Sequence, residues 1–339
     1  MGDLRLMPGV QPADGLRPAL YHRFHRLLPF IAHPFVRRLG RLLLWSVGLV
    51  YFGFILLVLI LRYSVLPNIE AHRSDIEALA SRALGQQISI GRIEASWDGL
   101  HPDLALFDVR VNDAEGRPAL AFAEVETVLS WWSVPAAELR LRLLRIDEPT
   151  LHLRRDAGGR IFIAGIPLDQ DSKDDDGRLS GWILAQDRIR IRGATLVWED
   201  EQRGAPPLVL EDLNFALDNA GRRHRFGLSA VPPPEFASRI DLRGDFRGQN
   251  LETLEAWKGQ AYAEIDYADL AIWRQWIDYP ISVAHGRGAL RAWLGFAGGE
   301  LRDLSTDIAM NDLALRLGEG LPVLELEHMA GRIEGRRGD

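Results

Sequence analysis

Leu42–Leu61, LLLWSVGLVYFGFILLVLIL, runs for twenty residues without a charge. At about 1.5 Å per residue such a run makes a helix of roughly 30 Å, the thickness of a bilayer's hydrocarbon core. A buried helix of a soluble fold seldom goes so far without a polar face. A cleaved leader fits poorly too, because its apolar region would be about 7–15 residues long and end on small residues. Here Arg62-Tyr63-Ser64-Val65-Leu66-Pro67 follows instead. Residues 42–61 therefore read as a transmembrane helix.

The flanks orient it. Arg37, Arg38 and Arg41 crowd the N-terminal side, with Arg23 and Arg26 behind them. The positive-inside rule then places residues 1–41 in the cytoplasm and everything after residue 61 across the membrane. Trp45 completes the expected anchor, and Arg62 can snorkel to the far interface. Residues 1–41 carry seven Arg against two acids, a charge of +5, and the remainder carries 33 basic against 45 acidic residues, a charge of −12. An acidic body lacks the basic footprint that binding nucleic acid requires. Leu20, Phe24, Leu27, Leu28, Ile31, Phe35 and Leu39 recur at helical spacing in the tail. They fit a basic amphipathic helix on anionic lipid or, since Pro29 and Pro34 interrupt them, an irregular tail. With no cysteine, disulfides, thiolate metal sites and a cysteine nucleophile are excluded.

Beyond the membrane segment, Asn68 to Leu84 reads as a helix, with Asn68 as N-cap and Gly85 as its stop. After Gly85 the apolar period changes from 3.6 to 2. Arg239–Arg247 alternates without a fault, charges on one face and Ile240, Leu242 and Phe246 on the other. Similar runs occupy 88–97, 104–111, 120–128, 139–143, 150–154, 188–192, 196–198, 213–217, 226–230, 260–267, 289–296, 306–310 and 313–317. Turn sequences such as Asp156-Ala157-Gly158-Gly159 and Asp218-Asn219-Ala220-Gly221 separate many of them. The expectation is mainly β: an elongated, curled antiparallel sheet with one apolar and one solvated face and a few short helices. Two of those helices are expected at Leu179–Gln186 and Leu270–Ile277. Phase slips at Gly91-Arg92, Phe107-Asp108 and Leu143-Leu144 predict bulges. The acidic run at 169–178 reads as a linker between a unit at 62–168 and one at 179–249, with a third begun over 250–339.

No catalytic signature is present. The sequence has no G-x-S-x-G, Walker loop or H-E-x-x-H, and its nine histidines are scattered. His101 and His152 read as structural, and no acid/base pair stands out. The acidic run lacks the spacing of a calcium loop. An enzyme, a metal site and a cofactor are therefore not expected. Trp131-Trp132 fits either a membrane-surface anchor or packing in the core or a turn.

The order of motifs resembles the AsmA-like family, of the YhdP type. The resemblance rests on Arg82-Ala83-Leu84-Gly85, Ile88-Ser89-Ile90-Gly91-Arg92-Ile93 and Trp97–Leu104 with Asp108–Val111. It continues through Glu148–Asp156, Ile191–Trp198 and Pro206–Leu213. Unlike that pattern, the cytoplasmic extension is long and the much longer C-terminal body is lacking. The resemblance implies an inner-membrane anchor bearing a β-groove whose concave apolar face carries phospholipid acyl chains across the periplasm toward the outer membrane.

Expected partners are accordingly the phospholipid bilayer and lipid acyl chains. A membrane-tethered scaffold that binds envelope proteins is the second function class. Candidate groove residues are Leu104, Leu106, Leu120, Phe122, Leu139, Leu141, Ile189, Ile191, Leu213, Phe215, Ile240, Leu242, Phe246, Leu290 and Leu294. Each also fits the core of a closed sandwich, so periodicity alone leaves closure, sheet pairing and lipid holding open. An apolar path continuous between units favours carriage, and separate filled cores favour the scaffold.

Overall fold

The computed structural model describes residues 34–84, 86–112, 118–163, 166–168, 176–249, 255–279, 282–318 and 320–337. The chain divides into two compact units, Met1–Val65 and Leu66–Asp339. In the first, α1 (Pro34–Ile60) takes in almost all of the uncharged run. Among the described residues it belongs to the one helix long and apolar enough to cross a membrane. A π-turn at Leu61–Val65 ends the unit.

The second unit opens with a 3₁₀ segment, Leu66–His72, and continues as α2 (Arg73–Leu84). Asn68, the expected N-cap, instead sits at a kink with φ −116° and ψ 29° inside the 3₁₀ segment. The strands that follow are β1 (Gln87–Ser89), β2 (Arg92–Asp98), β3 (His101–Asn112), β4 (Pro118–Leu129), β5 (Leu141–Asp147) and β6 (Thr150–Arg155). Next come β7 (Ile161–Ile163), β8 (Ile166–Leu168), β9 (Arg188–Asp200), β10 (Ala205–Ala220), β11 (Arg223–Val231) and β12 (Ile240–Arg247). The last are β13 (Lys258–Asp269), β14 (Ser282–Ala297), β15 (Glu300–Arg316) and β16 (Leu324–Arg336). Three short helices intervene: α3 (Ser133–Ala136), α4 (Asp176–Ala185) and α5 (Leu270–Trp273).

All the described strands join in one hydrogen-bonded sheet. The mainly β class and the scarcity of helix are as the alternation demands. The sheet is open, because its path runs from β1 to β16 and the two ends do not pair, and it is uncurled where a curled one was expected. It is also not wholly antiparallel. Both β5 and β6 pair in parallel with β9, one beside each half of that strand. The connection through β7, β8 and α4 makes this possible, since a parallel return needs a crossover. α4 begins at Asp176, inside the acidic run; residues 169–175 of the expected linker lie outside those described, as does Gly85. α5 ends four residues short of Ile277, although Asp269 caps it by accepting from the Ala271 and Ile272 amides at 3.0 and 3.3 Å.

The phase slips have physical counterparts. Asp108 takes φ +52° in the middle of β3. A Cβ on Gly91 would stand 2.8 Å from the Asp108 Cβ, so the chain breaks between β1 and β2 where only glycine fits. The slip near Leu143 is a bulge at Arg142, where Leu141 and Leu143 face the adjacent Leu129 and Val128. Glu148 between β5 and β6, Gly193 in β9 and Asp212 in β10 also have positive φ and lie on neighbouring strands.

At the far ends of β6 and β9, Asp200 is only 2% exposed. The Arg155 Nε donates to its Oδ1 at 2.9 Å and the Arg203 amide at 3.2 Å, while the Arg203 guanidinium reaches Asp278 at 2.8 Å. Burial alone would raise the Asp200 carboxyl, but Arg155 and Arg203 outweigh it and hold it below its ordinary value. Asp200→Ala strands Arg155 half-buried without its counter-charge and should cost roughly 3 kcal/mol. Denaturant unfolding of the full chain in detergent measures this, and a loss below about 1 kcal/mol, the worth of an exposed pair, would show that the cluster is merely solvated.

Candidate functional site

Because residues directly opposite each other share a face, the registers assign every strand's two sides. One row runs Ile93, Leu106, Val125, Ile146, Ile191, Phe215, Leu228, Leu242, Ala263, Ala292, Thr306 and Ile333, each directly opposite the next. It passes from β2 to β16 without a charged residue. A second row runs Leu104, Thr127, Leu144, Ile189, Leu217, Phe226, Gly244, Ala261, Leu294 and Leu304. Ala230, Ile240, Ile265, Leu290 and Ile308 line up beside them, with Phe246 on the same face.

Cover over this apolar face is uneven. Near β2–β5, Ile69, Ile76, Ala80 and Leu84 of the 3₁₀ segment and α2 pack on a cluster of Ile88, Ile90, Ile93, Val109 and Val125. Leu106 and Phe122 belong under this helix. Further on, Ile240, Leu242, Phe246, Leu290 and Leu294 are each only half-buried. Two more buried clusters lie apart from the first: Ala194, Leu213 and Ala230, flanked by Ile191 and Phe215, and Val283, Met310, Leu313 and Leu315.

Of the remaining candidates, Leu104 and Ile189 are buried in the second row. Leu120 faces Val111 beyond the Asp108 kink. Leu141 is buried where its amide meets the Gln186 side chain at 2.7 Å. Leu139 precedes β5, and its carbonyl accepts from the Trp182 indole at 3.0 Å. Of the anchor residues, Arg38, Arg41, Trp45 and Arg62 are exposed, and Arg37 falls within α1.

The floor is smoothed by aromatic rings laid over glycine. Phe226 and Phe246 lie parallel, 3° apart with centroids at 6.0 Å, and a Cβ on Gly244 would come within 2.2 Å of the Phe226 ring. Phe296 extends the strip at 6.1 Å from Phe246. Sequence reasoning missed the glycines' part in this, although Gly244 and Gly259 interrupt two otherwise regular strands.

The opposite face is a ladder of ion pairs. Glu126 bonds Arg145, Arg291 donates to Glu264 at 2.6 Å, Arg332 to Asp307 at 2.6 Å and Arg336 to Asp303 at 2.9 Å. Tyr262 and Trp293 meet among them with ring centroids 5.3 Å apart and planes tilted by 50°. Two concavities, of about 750 and 640 Å³, are lined mainly by this face, including Arg243, Asp245, Tyr262 and Trp293 in the first and Arg190, Asp218 and Arg225 in the second. Hollows here thus open on the charged side, whereas the family resemblance implies a concave apolar face. Small residues explain this, since Gly295 and Ser305 stand between long charged side chains while Phe and Leu fill the other face. Among the described residues no three His, Asp or Glu side chains group as metal ligands.

Ion pairing sets the pH response. Arg223 beside Asp245, Arg332 beside Asp307, and Arg239 with Asn214 beside Asp212 hold these carboxyls below their ordinary range. Stability from such groups is complete above the unfolded carboxyl value, about 4, and is lost as pH falls through the lower folded values. The melting temperature of the full chain in detergent should hold from neutral pH to about pH 5 and drop below about pH 4. A drop already complete near pH 6 would assign the acid response to histidine instead.

No curated protein and no solved structure matches the chain. The family model described as YhdP protein matches residues 26–339. That span takes in the apolar helix, the helix-covered first strands and the whole of the ladder described above, and the chain belongs to the YhdP protein family.

Proposed function

We propose that this chain is a single-pass inner-membrane protein whose sheet carries phospholipid along its apolar face, through the periplasm, toward the outer membrane. The observation that carries the reading is the apolar row without a charged residue, half-buried from Ile191 through Phe215, Leu228 and Leu242 to Ala263. Several strands of Leu, Ile and Phe facing water would be costly at about 25 cal/mol per Å², and acyl chains relieve that cost. The charged face needs no such partner, because its ion pairs satisfy one another. The arginines at 37, 38 and 41 support a cytoplasmic N-terminus by the positive-inside rule, and Trp45 and Arg62 lie near the two ends of the span. The work is transfer without bond chemistry, needing neither cofactor nor metal. The three separate buried clusters favour the second reading, a tethered scaffold with envelope-protein partners.

Two substitutions separate open face from closed core. Leu242→Asp puts a carboxylate on the uncovered stretch, where it reaches water, so melting should stay near normal while copurifying lipid is lost. Val125→Asp buries the same charge under α2 and should destabilise the fold by several kcal/mol. Melting curves and lipid mass spectrometry of full-length chain in mild detergent decide the matter. Collapse of the Leu242→Asp fold would contradict the open face, and normal melting with lipid retained would place Leu242 off the path.

A further inference from the structure

The ion pairs of the charged face satisfy one another except at one hollow. Directly opposite residues give a row across that face: Arg190, Ala216, Gly227 and Arg243. Two long cations thus flank two of the smallest residues. A Cβ on Gly227 would meet nothing within 4 Å, so the space above the strand is open there. This is the floor of the concavity of about 640 Å³. Arginines at 190, 192, 225 and 243 line it against only two acids, Asp218 and Asp241, a surplus of two positive charges. The neighbouring concavity of about 750 Å³ has no such surplus, with Arg243 and Arg336 against Asp245, Asp303 and Glu334.

Both aspartates of the lining are already engaged. The Arg190 Nη2 donates to Asp218 at 2.5 Å, and its Nη1 donates to the Ile189 and Leu217 carbonyls at 2.9 Å. Arg243 grips both Asp241 oxygens through Nε and Nη2, at 2.8 and 2.9 Å, which leaves its Nη1 donors unspent among the described residues. Arg192 and Arg225 are exposed, and among the described residues their guanidiniums have no hydrogen bond or ion pair. Arg225 lies in register between Asp218 and Asp245, but Arg190 holds the first and Arg223 holds the second at 2.9 Å. Asp147 lies opposite Arg192 without a bond between them. Elsewhere on this face Arg145, Arg291, Arg332 and Arg336 each hold an acid. Here the guanidiniums outnumber the acids beside them.

We propose that this hollow binds a water-soluble phosphate ester. A phosphate monoester carries roughly two negative charges near pH 7, which the surplus matches. Its oxygens point to several sides, so guanidiniums from β9, β11 and β12 can each take one. A carboxylate offers two coplanar oxygens, which a single arginine fills, as Arg243 does for Asp241. The hollow is much wider than a phosphate group, and Asn214 and Ser229 join the charges in its lining, so the group that the phosphate carries is polar. A lipid head group offers the same phosphate but would leave acyl chains against charged side chains. The site is independent of lipid carriage, which uses the opposite face.

Calorimetric titration of the full chain in a neutral maltoside detergent tests this, with glycerol 1-phosphate as probe and glycerol as control. The expected result is saturable binding of the phosphate alone, weakening as salt is added. Arg192→Gln and Arg225→Gln should each weaken it roughly tenfold, the worth of a charge-assisted hydrogen bond. Both side chains are exposed, so melting should be unchanged. Arg274→Gln removes an exposed arginine outside the hollow and should leave binding as it was. Gly227→Glu sets a carboxylate in the open space of the floor and should abolish binding. Dihexanoyl phosphatidylglycerol, added below its micellar concentration, separates the two sources of phosphate. Failure of the lipid to displace bound glycerol 1-phosphate supports the soluble ester, while displacement below the Kd of glycerol 1-phosphate would assign the site to a head group and overturn it. An absence of saturable heat would overturn the site itself. So would binding that persists unchanged in Gly227→Glu, or in a normally melting variant that combines Arg192→Gln with Arg225→Gln.

Discussion

Cross-strand register is the constraint on which the structure depends. Glu264 opposite Arg291, Asp307 opposite Arg332 and Asp303 opposite Arg336 are each directly paired and each bonded. A slip of one residue would set these charges against Leu and Ile, since the side-chain period of a strand is two. The same register brings Leu228 to Leu242, Leu242 to Ala263 and Leu290 to Ile308 on the other side. Individual exposed ion pairs contribute little to stability, but as a ladder they select one register. The continuous apolar row follows from that selection.

Aspartate and glycine at positive φ decide where the ladder bends. Asp108, Asp212 and Asp312 each interrupt a long strand, and Asp212 is held by Arg239 at 2.5 Å and by the Asn214 amide at 2.9 Å. Short polar side chains tolerate the left-handed region because they bond locally. Each kink lets one strand serve two stretches of sheet, as β9 does for β5 and β6. The first strands accept a covering helix, Leu270 of α5 packs on the cluster of β14 and β15, and Ile240, Leu242 and Phe246 of β12 between them stay half-buried.

Much of this was legible in the sequence. The uncharged run, the fault-free alternation of Arg239–Arg247 and the slips at Gly91 and Asp108 each mapped to the helix, strand or kink they implied. Local patterns say nothing of partners, however. Leu106 and Leu242 look alike in alternation, yet one lies beneath α2 and the other is uncovered, because that difference depends on a helix distant in sequence. The parallel seam at β9 escaped notice for the same reason: its crossover passes through two three-residue strands too short to show a period. β16 was missed because glycines at 331 and 335 and a Met-Ala step blur its alternation. Asn68 resembled a cap, but the helical turn had already begun before it.

The central claim is that one face of the sheet, and not the other, meets lipid. Leu242 and Arg243 are adjacent in β12 and point to opposite faces, so they make a matched pair of probes. A photoreactive benzoylphenylalanine at each position of the full chain, irradiated in intact membranes, reports its neighbours as covalent adducts read by mass spectrometry. The account predicts phospholipid adducts at position 242 and none above background at 243. Equal adducts at both positions, or protein adducts alone at 242, would contradict it.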